Sequence, residues 1–140
     1  MARQIAITRD VSPSIGACEL THLPRRPIDV ERAKAQHRTY EQALEELGCT
    51  IVHLPAGEDM PDAVFVEDTA IVVDEIAIIA RPGAASRRAE TAAVASALSG
   101  YRRLTHIVEP GTLEGAMCWW SAGLFSWDER AAPTMPASIS

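Results

Sequence analysis

Three carboxylates lie within seven positions of one another, between Asp62 and Asp68. Asp62 follows Pro61, and Glu67 and Asp68 stand just before an apolar run. Side chains alternate along an extended chain, so a turn or bulge is needed to gather all three. Gathered carboxylates suit a cation, either a metal or a guanidinium or ammonium group. Calcium would require more oxygen ligands at closer spacing, and a solvated acidic turn is the plain alternative.

Two arginines follow a glycine-containing loop at 81–86 and begin a helical pattern. Arg87 and Arg88 would stand in the first turn of that helix, where positive charge opposes the helix dipole. An anionic ligand group such as an α-carboxylate would offset this charge. The alternative is an exposed arginine that pairs with Glu90 and adds little stability.

A further candidate is Glu114, which follows a strand pattern at 104–108 and the pair Pro110-Gly111. Functional side chains in open α/β sheets are often found just past strand ends. Taken alone, Glu114 is an ordinary loop glutamate.

The histidines and cysteines form no complete metal motif. Cys18 and His22 are four residues apart, but a zinc site would need two more ligands. His37 falls on the apolar face of a helix and is interpreted as a packed core residue. Cys49 is interpreted as a small core residue.

The elements that position these residues alternate between strands and helices. Apolar residues spaced by three and four predict a helix with Asp29 as its N-cap and Gly48 at its end. A second helix is predicted over 87–98. Strands are predicted over 4–8, 49–54, 69–73, 76–80 and 104–108, which makes the fold class α/β. The apolar face of the first helix comprises Val30, Ala33, His37, Tyr40, Leu44 and Leu47.

The composition excludes several classes of function. The chain has 140 residues, is 47% hydrophobic and carries a formal net charge of −6. It can therefore build a core, and without a basic run it is a poor partner for nucleic acid or anionic membrane. It has no apolar run long enough to span a membrane and no signal-peptide pattern at its start. With three scattered cysteines, these features predict a cytoplasmic protein.

Together, the motifs resemble dimethylarginine dimethylaminohydrolase, a branch of the guanidino-group-modifying, or pentein, superfamily. The resemblance covers roughly residues 4 to 115, and the order and spacing of the segments make it specific. Thr21-His22-Leu23 and Gln36-His37 match the early region of the family. The main matching segments are Pro61 to Asp68, Arg81-Pro82-Gly83 with Ser86-Arg87-Arg88, and Pro110 to Gly115.

The resemblance implies the reaction and the residues that bind its substrate. The family hydrolyses methylated arginine to citrulline and a methylamine, through a cysteine nucleophile and with no metal or other cofactor. Asp62, Glu67 and Asp68 match its substrate-binding carboxylates. Phe65 matches an aromatic residue lining the pocket, and Arg87 matches the arginine that takes the substrate α-carboxylate.

Two further residues match by the same resemblance. Leu23 matches a residue of the mobile loop that closes over the substrate, where its backbone carbonyl is used. Glu114 matches the carboxylate that orients the catalytic histidine. The family's catalytic histidine and cysteine lie well past Glu114, and no histidine or cysteine of this sequence matches them. We therefore expect a dimethylargininase-type hydrolase by ancestry that is inactive as this chain alone.

Three alternatives stay open. One is a non-catalytic module that binds a guanidinium or an amino acid. Another is a sibling reaction, arginine deimination or amidine transfer, because a carboxylate cluster recognises only the guanidinium. The third is a small carboxylate metal site that would bind Ca²⁺.

The family fold is a ring of five ββαβ modules, and the chain is expected to supply about two of them. This would be a partial α/β propeller. Exposed module edges in such a fragment predict marginal stability and association, as a homodimer or as an aggregate.

The end of the sequence differs from the rest in composition. Trp119, Trp120 and Trp127 all fall after Gly115, whereas the family continues there with Gly-Asp-Val-Leu. Methionine and tryptophan have single codons, so the DNA can be partly reconstructed. Read one base earlier, one choice of codons gives Asp-Val-Leu-Val-Val, and the continuation can give a Gly-Arg turn and another strand. We interpret 1–115 as the N-terminal part of the enzyme domain and 116–140 as an aberrant, out-of-frame tail.

Overall fold

The computed structural model describes residues 4–20, 22–115, 118–121 and 124–127, the last two ranges as backbone only. The chain divides into two compact units, Met1–Val66 and Glu67–Ser140. Among its described residues, each unit combines strands with one α-helix, so the predicted α/β class is confirmed. Among the described helices, none has the length and hydropathy that crossing a membrane requires.

The first unit is built on two parallel strands, β1 (Ile5–Arg9) and β2 (Thr50–Leu54). Their register runs from Ile5 opposite Thr50 to Arg9 opposite Leu54. Parallel neighbours need a crossover connection, which α1 (Val30–Glu46) supplies. The loop before α1 includes a short 3₁₀ turn, Ile15–Ala17. Both strand predictions are confirmed to within one residue.

Both ends of α1 form as the sequence predicts. The Asp29 side chain accepts a hydrogen bond from the Arg32 backbone N–H at 3.0 Å, which satisfies one unpaired donor of the first turn. Gly48 adopts a positive φ of 88°, which favours glycine. The backbone N–H groups of Gly48 and Cys49 then donate to the carbonyls of Glu45 and Leu44.

The predicted apolar face of α1 is not buried as a core. No residue of α1 is fully buried, and Tyr40 and Leu47 are 56% and 76% exposed. Within the described residues of this unit, the two-stranded sheet of β1 and β2 is the only sheet available to cover α1. His37, interpreted from the sequence as a core residue, instead lies beside Glu41 in a polar cluster.

The second unit contains one complete ββαβ arrangement. Strands β3 (Ala70–Val72) and β4 (Ile76–Ile79) form the predicted antiparallel hairpin. A 3₁₀ segment, Ala85–Glu90, leads into α2 (Thr91–Leu98), and β5 (Arg103–His106) then pairs in parallel with β4. The predicted helix over 87–98 therefore begins as a 3₁₀ turn. The buried apolar core of this unit includes Ala77, Ile79, Val94 and Leu98.

The segment interpreted as out of frame lies largely outside the described residues. Within it, strands β6 (Cys118–Ser121) and β7 (Leu124–Trp127) pair antiparallel. The reading frame of 116–140 stays a hypothesis, because strand pairing does not test it.

Candidate active site

Asp62 is held in the turn that the sequence requires. Its side chain is 5% exposed, and its two oxygens lie 3.0 and 3.3 Å from the Glu19 backbone N–H, which donates to them. The turn itself is closed by hydrogen bonds from Ala63 N to Met60 O and from Phe65 N to Asp62 O. A solvated acidic turn is therefore the wrong description of Asp62.

The other two carboxylates of the motif follow on a single 3₁₀ turn, Val66–Asp68. Glu67 is exposed, whereas Asp68 is half-buried. The Asp68 Oδ2 atom accepts a hydrogen bond from Arg87 Nη1 at 2.8 Å. The motif thus leaves one carboxylate open to solvent and binds the next to an arginine.

Arg87 lies between two acidic side chains. Its Nη2 and Nε atoms donate to Glu90 Oε2 at 3.0 and 3.2 Å, in addition to the contact with Asp68. Arg87 is 7% exposed and Glu90 is 1% exposed. Burial alone would lower the pKa of Arg87, but the hydrogen bonds with Glu90 and Asp68 outweigh it and raise the pKa further above its usual value. The alternative drawn from the sequence was an exposed arginine paired with Glu90. The partner is correct, but Arg87 and Glu90 are both buried.

Leu23 and Phe65 are both exposed. Leu23 borders a cavity of about 450 Å³ that is also lined by Cys18 and Ile28. Arg25 braces this loop because its guanidinium donates to the carbonyls of Gly16 and Cys18, the latter at 2.9 Å. Thr21, which the resemblance also matched, lies outside the described residues.

Glu114 stands between two anchored neighbours. Leu113 N donates to Arg81 O at 2.9 Å, which forms an isolated bridge. Gly115 is buried so tightly that a Cβ atom there would lie 2.1 Å from Glu67 O and 2.7 Å from Ala70 O. This close approach brings the backbone of Glu114 towards the turn that carries Glu67.

The second unit thus brings together four candidates, Glu67, Asp68, Arg87 and Glu114. The other three, Leu23, Asp62 and Phe65, are in the first unit. Sequence reasoning missed the buried role of Glu90, although its spacing from Arg87 was visible. Within the described ranges, no three His, Cys, Asp or Glu side chains are grouped in a way that could hold a metal ion.

A separate polar cluster surrounds Glu41 in the first unit. His53 Nε2 lies 2.9 Å from Asp10 Oδ1, and His53 Nδ1 lies 3.0 Å from Glu41 Oε1. The Thr8 hydroxyl donates to the same Glu41 oxygen at 2.5 Å. The hydrogen bond with Asp10 is the main factor that raises the pKa of His53 above 6.5, with smaller support from Glu41 against burial.

We expect this cluster to make stability depend on pH. Because the pKa of His53 is raised in the folded state, its stabilisation is complete below the unfolded value of 6.5 and is lost as pH rises through the folded value. In urea unfolding, His53→Gln should therefore cost most near pH 6 and progressively less above it. His22→Gln is the control, because His22 makes no hydrogen bond or ion pair with any described residue. Equal, pH-independent losses for the two variants would contradict this assignment.

Known sequences and solved structures show what the chain is similar to, while no protein-family model matches it. It is 39% identical over 116 residues to a dimethylarginine dimethylaminohydrolase of Streptomyces coelicolor, which covers 82% of the chain and 45% of the relative. A cysteine-to-serine variant of the Pseudomonas aeruginosa enzyme, complexed with citrulline, matches with a TM-score of 0.82 and 32% identity, covering 89% of the chain and 49% of that structure. The N-terminal domain of a cyanobacterial arginine dihydrolase matches at 16% identity with a TM-score of 0.70, covering 79% of the chain and 42% of that structure, and so supports the fold alone.

The fold and these likenesses define a protein of the guanidino-group-modifying, or pentein, superfamily. Within it, the chain belongs to the dimethylarginine dimethylaminohydrolase family, which confirms the family predicted from its motifs. The chain spans about half the length of the relatives it matches.

Proposed function

We propose that this chain carries the guanidinium-recognising part of a hydrolase that converts methylated arginine to citrulline and a methylamine. The observation that carries the proposal is the carboxylate motif of Asp62, Glu67 and Asp68, in a chain 39% identical to a dimethylarginine dimethylaminohydrolase. Paired carboxylates match the planar N–H donors of a guanidinium and favour its charged form. Asp62 is oriented for this task by the Glu19 backbone and Asp68 by Arg87.

The remaining candidates complete the proposed substrate site. Arg87 would take the α-carboxylate of the substrate, Phe65 would line the pocket, and Leu23 would close over it through its backbone carbonyl. Glu114 would orient the histidine that serves the cysteine nucleophile. In this scheme the thiolate attacks the guanidinium carbon, the methylamine leaves, and water releases citrulline.

We propose that the 140-residue chain alone is catalytically inactive. Cys18 is buried, and the Cys49 thiol contacts Gln4. Neither thiol makes a hydrogen bond to an imidazole within the described part of the chain, so a nucleophile and base pair is not formed there. This favours a second candidate function, a non-catalytic module that binds guanidinium compounds or amino acids.

We expect no citrulline release from dimethylarginine by this chain above a protein-free blank, measured by mass spectrometry. Calorimetry should still detect citrulline binding, weakened about tenfold or more in Asp68→Asn because a charged hydrogen-bond acceptor is lost. Asp59→Asn is the control, since Asp59 is exposed and outside the motif. Clear turnover would contradict inactivity, and no binding at millimolar citrulline would contradict both the retained site and the binding module.

We also propose that residues 116–140 arise from a shifted reading frame, in the gene or through a sequencing error. The support is the reconstructed Asp-Val-Leu-Val-Val, which restores the family pattern after Gly115. Resequencing the DNA decides the matter. Independent clones that all encode this same tail in the same reading frame would contradict the proposal.

The proposed setting is cytoplasmic, with a small-molecule substrate and no nucleic acid or membrane partner. Cys18 and Cys49 are free thiols, which supports a reducing compartment and can be checked by cell fractionation. Within the described residues, the parallel pair β1 and β2 has no further strand in its sheet, so we propose that chains associate through such edges. Sedimentation as a monomer at all concentrations would contradict association.

A further inference from the structure

A cavity of about 570 Å³ lies at the carboxyl ends of the parallel strands β1 and β2. Asp10 follows β1, Ala56 lies just beyond β2, and both line this cavity. We call it the α1 cavity, because residues of that helix form one of its walls. Ligands in α/β proteins bind preferentially at this end of parallel strands, in cavities of similar size.

The wall formed by α1 is polar. Lys34, His37, Arg38 and Glu41 are spaced by three and four residues, so they share one face of the helix, and all four line the cavity. Lys34, His37 and Glu41 are half-buried on this face and Arg38 is exposed, so the wall offers charged and polar groups to an occupant of the cavity.

Some of the charges in the α1 cavity are already paired. Both ring nitrogens of His53 face carboxylate oxygens of Asp10 and Glu41, which indicates an imidazolium that donates from both sides. Lys34 Nζ lies 2.9 Å from Glu31 Oε1. These pairs leave little capacity for a ligand at their own atoms.

Two charged groups on the cavity wall are not paired, and one buried ring nitrogen makes no hydrogen bond. Arg38 and the Glu58 side chain make no hydrogen bond or ion pair with any described residue, although both line the same cavity. His37 Nε2 is buried without a hydrogen-bond partner, although it lies 3.2 Å from Glu41 Oε1. A buried polar atom of this kind loses free energy unless something supplies the missing hydrogen bond.

The charges also balance. With His53 protonated, the cavity is lined by three cations, Lys34, Arg38 and His53, and three anions, Asp10, Glu41 and Glu58. A ligand with net charge would leave an unmatched charge in such a site, whereas a zwitterion would not.

We propose that the α1 cavity binds a free α-amino acid as a zwitterion. Its carboxylate pairs with Arg38, its ammonium group pairs with Glu58, and His37 Nε2 gains a hydrogen-bond partner. The site lies wholly in the first unit and uses none of the residues assigned to the guanidinium site. It is therefore a second amino-acid site, independent of the proposed reaction.

The test is calorimetry of the 140-residue chain with L-norvaline, an amino acid that has no guanidinium. We expect saturable binding, and about tenfold weakening in each of Arg38→Gln and Glu58→Gln, because each removes one charged partner. Arg32→Gln is the matched control, an exposed arginine of the same helix that does not line the cavity. Valerate and butylamine, which each carry one of the two charges, should bind at least tenfold more weakly than norvaline.

Several results would overturn the proposal. Absence of norvaline binding at millimolar concentration would do so, as would equal binding of valerate or equal weakening by Arg32→Gln. Loss of norvaline binding in Glu67→Gln, with no change in Arg38→Gln, would assign the amino acid to the guanidinium site. Norvaline binding should be unchanged in Asp68→Asn and weakened in Arg38→Gln, so the two proposals fail separately.

Discussion

Arg87→Ala should destabilise the chain by about 3–5 kcal/mol, because it removes one partner of a buried ion pair and leaves the other charged. The remaining carboxylate of Glu90 is 1% exposed and loses the guanidinium that it faces through Nε and Nη2. Asp68 loses the same partner. Urea unfolding followed by circular dichroism measures the loss, and a shift this large is comparable with the total stability of many small domains.

Two further variants separate this effect from a general loss of side-chain volume. Arg88→Ala is the control, because Arg88 donates only to backbone carbonyls, Pro82 O at 3.1 Å and Gly83 O at 3.4 Å. It should cost about 1 kcal/mol. The double variant Arg87→Met with Glu90→Leu should recover much of the stability, since apolar residues often replace a buried pair without loss. If Arg87→Ala costs no more than Arg88→Ala, the buried triad does not exist in solution.

Much of the local structure could be predicted because its causes are local. The cap at Asp29 and the positive φ at Gly48 depend on a few neighbouring residues, so the sequence was enough to locate both ends of α1. The hairpin of β3 and β4 is similarly defined by two apolar runs with a short break between them. The buried face of α1 depends instead on the width of the sheet beneath it, which no local pattern reveals.

The candidate site also has some features with local causes, which the sequence predicts, and others that depend on the fold. The carboxylates were evident from their spacing, and the turn that they needed is present at Asp62. The burial of Glu90 could not be read from its spacing to Arg87, because an exposed i, i+3 pair has the same sequence. The cluster of Asp10, Glu41 and His53 joins residues 12 to 43 positions apart, so only the fold brings them together.

Gly115→Ala is the second substitution from which we expect a large effect. A Cβ atom at this position would lie 2.1 Å from Glu67 O and 2.7 Å from Ala70 O, far inside the distance that two such atoms tolerate. Both contacts are with backbone, so no side chain can rotate away to make room. The segment must separate from the Val66–Asp68 turn and from the start of β3, and we expect a loss of about 3 kcal/mol or more.

Gly83→Ala provides the matched control in the same unit, because a Cβ atom there would meet nothing within 4 Å. It should change the free energy of unfolding by less than about 0.5 kcal/mol, or stabilise slightly by restricting the unfolded chain. Equal urea midpoints for the two variants would mean that the close approach at Gly115 is absent in solution. A large difference would instead show that glycine is needed there for contact with the turn carrying Glu67 and Asp68. The backbone of Glu114 would then lie near this turn because residue 115 has no side chain.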